Sequence, residues 1–452
     1  MILKRDNETA EILLENLPVL RHLKESDPQR HFKLSRLLAD DEVNEKKVKE
    51  IFGGNSNLDQ RKLLAEEIAA ELDTVEPARL MTLIGQALKW QKHVGLLAKG
   101  VRFDILKNAA AEKQDLVDEV VSRNEKTIKF GKTTEADCVK FSNDGQYLVS
   151  GSSDGFIEIW DYETGQLRKD LVYQANDALM MHSDAVLCLD FSRDGEFLAS
   201  GSQSGELKVW KIASGKCVKK IKNCHPSGIG HVNFSSIGLE ILTCGAGTTE
   251  DTFKLQGLVS GRTLREFRGH KAQVTVAKYF KDDKYVISGS SEGEVCVWDS
   301  VTSECLTRFS SATSVASSPN LFSVIDLIFP IRRSSSVDSV IIASQNMLLR
   351  EYTLNGKLVH SADIIEQIQT SESPTRNSKK SFEMSGAALS SHGRIVYCCS
   401  DTGFLYVVDL DSWRVLKAVQ VHNSNTKGVS HHPHLNVLAT FSSDHSLKIW
   451  TS

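Results

Sequence analysis

A chain of 452 residues, 40% of them hydrophobic, exceeds what one hydrophobic core usually serves, so two folded regions are expected. Its 54 Lys and Arg against 58 Asp and Glu leave a formal charge of -4, which excludes a broad polyanion-binding surface on net charge alone. No apolar run reaches the ~18 residues of a membrane span, and Met1-Ile2-Leu3-Lys4-Arg5-Asp6 lacks the apolar stretch of a secretory signal, so a soluble intracellular protein with no membrane contact is predicted.

The first part of the chain reads as helical. Asp27-Pro28 is an N-cap followed by proline at N1, opening a helix to about Ala39 through Phe32, Leu34, Leu37 and Leu38. Ahead of it, Leu13, Leu17 and Leu20 share a helical register that Pro18 interrupts. After Gly53-Gly54, a second helix is predicted from about Asp59 to Leu72 on Leu63, Leu64, Ile68 and Leu72. A third begins near Pro77 and carries Leu80, Leu83, Ile84, Ala87 and Leu88 on an apolar stripe, with Trp90 beside Lys89 and Lys92. Internal packing is one use of such a stripe. Anchoring a partner is the other, and Leu80, Leu83, Ile84, Leu88, Trp90 and Leu97 are the candidate contact residues. The helical region is assigned to 1–103 and a linker to 104–125.

From residue 126 the period shortens to that of strands. Phe141-Ser142-Asn143-Asp144-Gly145 leads to Gly151-Ser152-Ser153-Asp154-Gly155 and Trp160; Phe191-Ser192-Arg193-Asp194-Gly195 leads to Gly201-Ser202-Gln203-Ser204-Gly205 and Trp210. Trp298 and Trp450 end two more such units, and the separations of 50, 88 and 152 residues fit one, two and three repeats. Degenerate repeats are predicted at 225–267, 321–360 and 386–418, making seven. The last unit ends at a third strand, Leu447-Lys448-Ile449-Trp450, and a strand pattern at 126–130, Lys126-Thr127-Ile128-Lys129-Phe130, is the candidate to pair with it. The expected architecture is an all-β seven-bladed propeller over 126–452, preceded by a small α-helical region, with a flexible insertion at 361–380. That insertion holds Ser371, Ser373, Thr375 and Arg376 and offers phosphorylation sites.

Several residue sets invite chemistry. His422, Ser442, Asp444 and Trp450 have the types of a serine-hydrolase site, yet Asp444 precedes Trp450 as Asp154 precedes Trp160, so a structural hydrogen-bond network is predicted and no catalytic residue. Ser204 and Glu292 stand at the equivalent turn position before Trp210 and Trp298, where the network is expected to be incomplete. His431-His432-Pro433-His434 lacks the cysteine or carboxylate spacing of a zinc site, and the nine cysteines form no CxxC pair, so no metal or cofactor is expected and the thiols are read as reduced. Arg332-Arg333-Ser334-Ser335-Ser336 and similar short basic clusters allow incidental RNA contacts only.

The repeated Gly-Ser…Asp-Gly…Trp pattern is that of WD40 propellers. The junction Glu76-Pro77-Ala78-Arg79-Leu80-Met81-Thr82-Leu83-Ile84-Gly85-Gln86-Ala87-Leu88-Lys89-Trp90-Gln91, then Gly95-Leu96-Leu97, Ile128-Lys129-Phe130-Gly131 and Tyr147-Leu148-Val149-Ser150-Gly151-Ser152, resembles the Smu-type WD40 proteins of the spliceosome, the suppressor of mec and unc family. That resemblance implies a CTLH-like helical region and a nuclear, non-enzymatic scaffold acting in pre-mRNA splicing and splice-site choice. It also implies partners in the precatalytic spliceosome, among them a RED-like protein. Relatives of this type begin with a LisH dimerisation segment that this chain is expected to lack, which leaves homodimerisation open. WD40 rings with LisH and CTLH helices also occur in ubiquitin ligases, so a substrate receptor or scaffold subunit there is the alternative; co-purifying proteins distinguish the two.

Overall fold

The computed structural model describes residues 28, 29, 32, 79–93 and 118–452, apart from 132, 248–252, 312–321, 331–337 and 372–381. The helices expected over 27–39 and 59–72, residue Leu97, the Arg332-Arg333 cluster, Ser373 and Thr375 therefore lie wholly or mainly outside the described residues. The chain divides into two compact units, Met1–Gln86 and Ala87–Ser452. Among the described residues no helix is long and apolar enough to cross a membrane.

The second unit contains seven antiparallel sheets, each one blade, with strands here called a to d from the centre outwards. Blade 1 begins at Ala136–Phe141, blade 2 at Val186–Phe191, blade 3 at Ile229–Phe234 and blade 4 at Val274–Phe280. Blade 5 begins at Val324–Ile328, blade 6 at Met384–Leu389 and blade 7 at Thr426–His431. Every a strand is shifted by one residue near its start where it pairs with strand b, for example between Ala136 and Cys138 and between Thr426 and Gly428. Such bulges raise the local twist, which a ring of radiating sheets requires.

The core is seven separate seams, one between each pair of neighbouring blades, rather than a single mass. The repeated Gly-Ser follows from this. A Cβ on Gly151 would meet Val186 Cγ1 at 2.7 Å, on Gly201 Ile229 Cγ2 at 2.7 Å, and on Gly289 Val324 Cγ1 at 2.6 Å. Strand b must lack a side chain where the next blade's first strand lies against it.

Blade 7 takes its outer strand from upstream: Arg123–Lys129 pairs antiparallel with Ser446–Thr451, Ile128 opposite Leu447. The strand starts three residues before the predicted 126–130 and Phe130 lies beyond it, with Phe130 N donating to His445 O at 2.9 Å. The segment before it is no free linker either. Ser122 N donates to Thr451 O at 3.0 Å, and Val121 is buried against Tyr397, Leu438 and Trp450.

Helix α1 is Arg79–His93, α2 is Val172–Ala175 and α3 is Ile364–Ser371. Two of them repair a sheet with a glutamine. In blade 1, strand d is only Gln166–Leu167, and the Gln174 side chain of α2 takes over, accepting from Ile159 N at 2.9 Å and donating to Ile159 O at 2.7 Å. In α3, Gln367 donates to Trp413 O at 3.0 Å and accepts from Val415 N at 2.8 Å. A side-chain amide has the donor and acceptor of a peptide group and satisfies a ladder position the same way. Helix α3 corrects the expected insertion: 361–363 belong to a strand and 364–371 to a helix whose Ile364 is fully buried, because Ile364 and Ile368 continue the seam between blades 5 and 6.

Candidate functional site

Helix α1 carries the predicted contact stripe. Leu80, Leu83 and Trp90 are exposed, Trp90 at 62%, while Ile84 and Leu88 are half-buried.

The histidine networks have a different membership from that predicted. In blade 7, His422 Nδ1 meets Asp444 Oδ2 at 2.9 Å and His422 Nε2 meets Thr440 Oγ1 at 2.9 Å; Trp450 Nε1 donates to the same Oγ1 at 2.9 Å. Ser442 is not the linking hydroxyl. It stands at the b–c turn, pairs with Ser446, and its Oγ donates to Asn425 O at 2.9 Å. The tryptophan reaches diagonally across the ladder to a hydroxyl ten residues before it, and the same spacing joins Trp160 to Ser150, Trp210 to Ser200 and Trp298 to Ser288, each at 2.8 Å.

Blade 4, expected to be incomplete, has the full set. His270 Nε2 contacts Ser288 Oγ at 2.6 Å and His270 Nδ1 contacts Glu294 Oε2 at 3.0 Å. In blade 2, His182 Nε2 contacts Ser200 Oγ at 2.7 Å with Glu206 Oε2 at 3.8 Å from Nδ1. In blade 4 the acid thus comes from two residues further along than Asp444 does, and the longer glutamate arm reaches back; Glu206 stands at the same position in blade 2 but is held by Lys208 at 3.2 Å and Lys220 at 2.8 Å. Burial lowers the His182 pKa to about 4 and also lowers that of His422, against the opposing pull of Asp444. Burial pushes the Asp444 carboxyl up, but hydrogen bonds from Ser446 and His422 outweigh it and hold the group below its ordinary value. With Thr440 fully buried and its oxygen met by both rings, a substrate has no approach to it.

The histidine run at 431–434 joins blades. His432 Nε2 contacts Gly145 O at 2.9 Å and His434 Nε2 contacts Asn143 O at 3.2 Å. Gly145, at φ 68°, lies so close that a Cβ would sit 2.4 Å from the His432 ring. Among the described residues one trio, His270, Glu294 and Cys296, brings metal-binding atoms together within 4.8 Å. Arg308 Nη1 already holds Glu294 Oε1 at 3.3 Å, and a divalent ion would have to displace that cation. Cys398 and Cys399 are buried, and burial pushes both thiols up, away from the reactive thiolate.

A cavity of about 580 Å³ opens among the turns of blades 7, 1, 2, 3 and 4, with Arg193, Lys281 and His434 on its wall. Its inner polar groups are committed to joining blades: Asp190 accepts from Lys140, from Asn233 Nδ2 at 3.1 Å and from Phe234 N at 2.6 Å, and Asn233 Oδ1 accepts from Tyr279 N at 2.9 Å. On its rim Lys281, Asp282 and Asp283 all have positive φ, 51°, 49° and 67°.

Comparison with known proteins agrees with this architecture. The family model described as "WD domain, G-beta repeat" matches residues 125–161, 177–211, 261–299 and 413–451, each ending one residue after one of the four bonded tryptophans. The other blades have Gln256, Tyr352 or Val408 at the corresponding ladder position. The chain is 34% identical over 453 residues to "WD40 repeat-containing protein smu1" of Dictyostelium discoideum, covering 99% of this chain and 81% of that protein. Among solved structures, the β-propeller domain of Cps50 (Swd1) from Myceliophteria thermophila superposes with a TM-score of 0.59 at 18% identity, over 73% of this chain and 99% of that one.

Proposed function

The chain belongs to the Smu1 family of WD40-repeat proteins, and from that membership we propose that it is a scaffold of the precatalytic spliceosome, acting in the nucleus in pre-mRNA splicing and splice-site choice. The WD40 propeller is a non-catalytic scaffold architecture, so its work is protein–protein contact. The observation that carries the reading is the extent of the likeness: it covers 99% of the chain, the residues ahead of the propeller included, whereas a generic WD40 ring would match over the repeats alone. In this reading the front is CTLH-like, the stripe of α1 takes a RED-like protein, and the blades take broader spliceosome contacts.

Exposed Trp90 is the preferred anchor, since buried aromatic anchors dominate interfaces in which many peripheral residues touch. Affinity purification from nuclei should recover a RED-like protein and precatalytic components. Trp90→Ala should weaken the RED-like contact by roughly tenfold or more, as a lost hot spot does, with thermal unfolding of the propeller unchanged. Reproducible absence of spliceosome proteins, or recovery of ubiquitin-ligase subunits in their place, overturns the reading.

A further inference from the structure

Blades 1 and 2 close their a–b turns with the same device. Ser142 Oγ donates to Asp144 Oδ1 at 2.6 Å, and the carboxylate accepts from Gln146 N at 3.1 Å. Ser192, Asp194 and Glu196 N repeat this at 2.6 and 3.0 Å. In both, the serine oxygen accepts the amide two residues after the glycine, Tyr147 or Phe197, at 2.9 Å. Blade 6 has the same backbone turn: Gly393 N donates to Ser390 O at 3.1 Å, as Gly145 N does to Ser142 O, and Ile395 N donates to Ser390 Oγ at 3.0 Å. Its aspartate position, however, is His392.

The carboxylate is there nonetheless. Ser390 Oγ donates to Asp118 Oδ2 at 2.6 Å across 272 residues of chain, and Arg394 N donates to the same oxygen at 3.0 Å. His392 fills the other oxygen, with N at 3.3 Å and Nδ1 at 3.0 Å from Oδ1. Asp118 is buried, and three residues on, Val121 enters the seam between blades 6 and 7, where Tyr397 Oη donates to Glu119 O at 3.2 Å.

We propose that the a–b turn of blade 6 is a carboxylate-binding seat, and that Asp118 occupies it as the turn residue this blade lacks. Residues 118–122 are then a latch, which pins the segment ahead of the closing strand to a blade that is not its own. A carboxylate at position 392 would fill the seat from within and release the latch.

Amide exchange on the full chain, read by mass spectrometry, tests this. Asp118→Ala should speed exchange at residues 119–122 and at 391–395 by about tenfold or more, the factor expected for a lost charge-assisted hydrogen bond. Adding His392→Asp should return the turn to its original protection while the latch stays fast, and His392→Asp alone should loosen the latch. Unchanged exchange in Asp118→Ala, or a double variant whose turn remains unprotected, overturns the proposal. Should Asp118→Ala give no soluble protein, the double variant decides: soluble chain with a fast latch supports the seat, and insoluble chain overturns it.

Discussion

Thr440 shows what spacing along a sequence does and does not reveal at the scale of one residue. His422, Asp444 and Trp450 are in contact as their positions suggested, but the hydroxyl between them is set by the pleat of strand b, which a comparison of turn positions does not see. The glutamates of blades 2 and 4 were missed for the same reason, since they sit one pleat further along. Thr440→Ala should leave Trp450 Nε1 and His422 Nε2 without their buried partner and cost about 1–3 kcal/mol in urea denaturation, Ser442→Ala about 1 or less, and Thr440→Ser little. A second residue departs from its repeats. Four blades tie the d–a loop with a cation two places before the tryptophan position: Lys208 to Met181 O at 2.9 Å, Lys254 to Cys224 O at 3.1 Å, Lys448 to Val421 O at 2.7 Å, and Arg350 to Ser311 O. Blade 1 has Glu158 there, and burial, with the Asp154 charge second, raises its pKa to about 7. The native state therefore holds a proton that the unfolded state releases from pH 4.5 upwards, so this residue's contribution is full below 4.5 and lost as pH rises to about 7. Glu158→Gln should flatten stability across that window and raise the melting temperature at pH 8.

At the scale of elements, blades 1, 2 and 4 were legible from the Gly-Ser that ends strand b, and the degenerate blades from the whole-repeat intervals between tryptophans. Helices α2 and α3 were not, because their reason for existing lies in the ladder position that Gln174 or Gln367 fills. The contact role assigned to α1 stays a proposal, with Leu80, Leu83 and Trp90 placed on its exposed surface. The closing strand admits a direct measurement. Deleting 123–129 should leave Ser446–Thr451 an unpaired edge and give aggregation or a lowered, broadened melting transition, as unprotected edges do. Ile128→Ala, milder, removes a side chain that is 4% exposed and packs with Leu447 and Trp160, and should cost about 2–4 kcal/mol. A deletion variant that melts like the parent would show that blade 7 holds without its fourth strand.

For the whole molecule, the number of blades followed from tryptophan spacing alone, since any interval between well-formed repeats must hold whole units. The latch did not, because nothing in the local pattern of 118–122 marks it; its cause is an aspartate missing 270 or so residues downstream, at His392. The proposed function rests on resemblance alone, since a ring whose polar residues such as Asp190 and His432 are used in joining its own blades carries few signs of what it holds. Closure by a strand from upstream also fixes an order of events during synthesis. At about 5–20 residues per second, Arg123–Lys129 leaves the ribosome on the order of 15–60 s before the strand it must pair with. Through that interval six blades can stack in turn while the two seams that blade 7 completes stay open to solvent, and Arg123–Lys129, apolar only at Ile128, waits with both edges bare. The nascent chain's dependence on chaperones should therefore peak just before the final blade emerges.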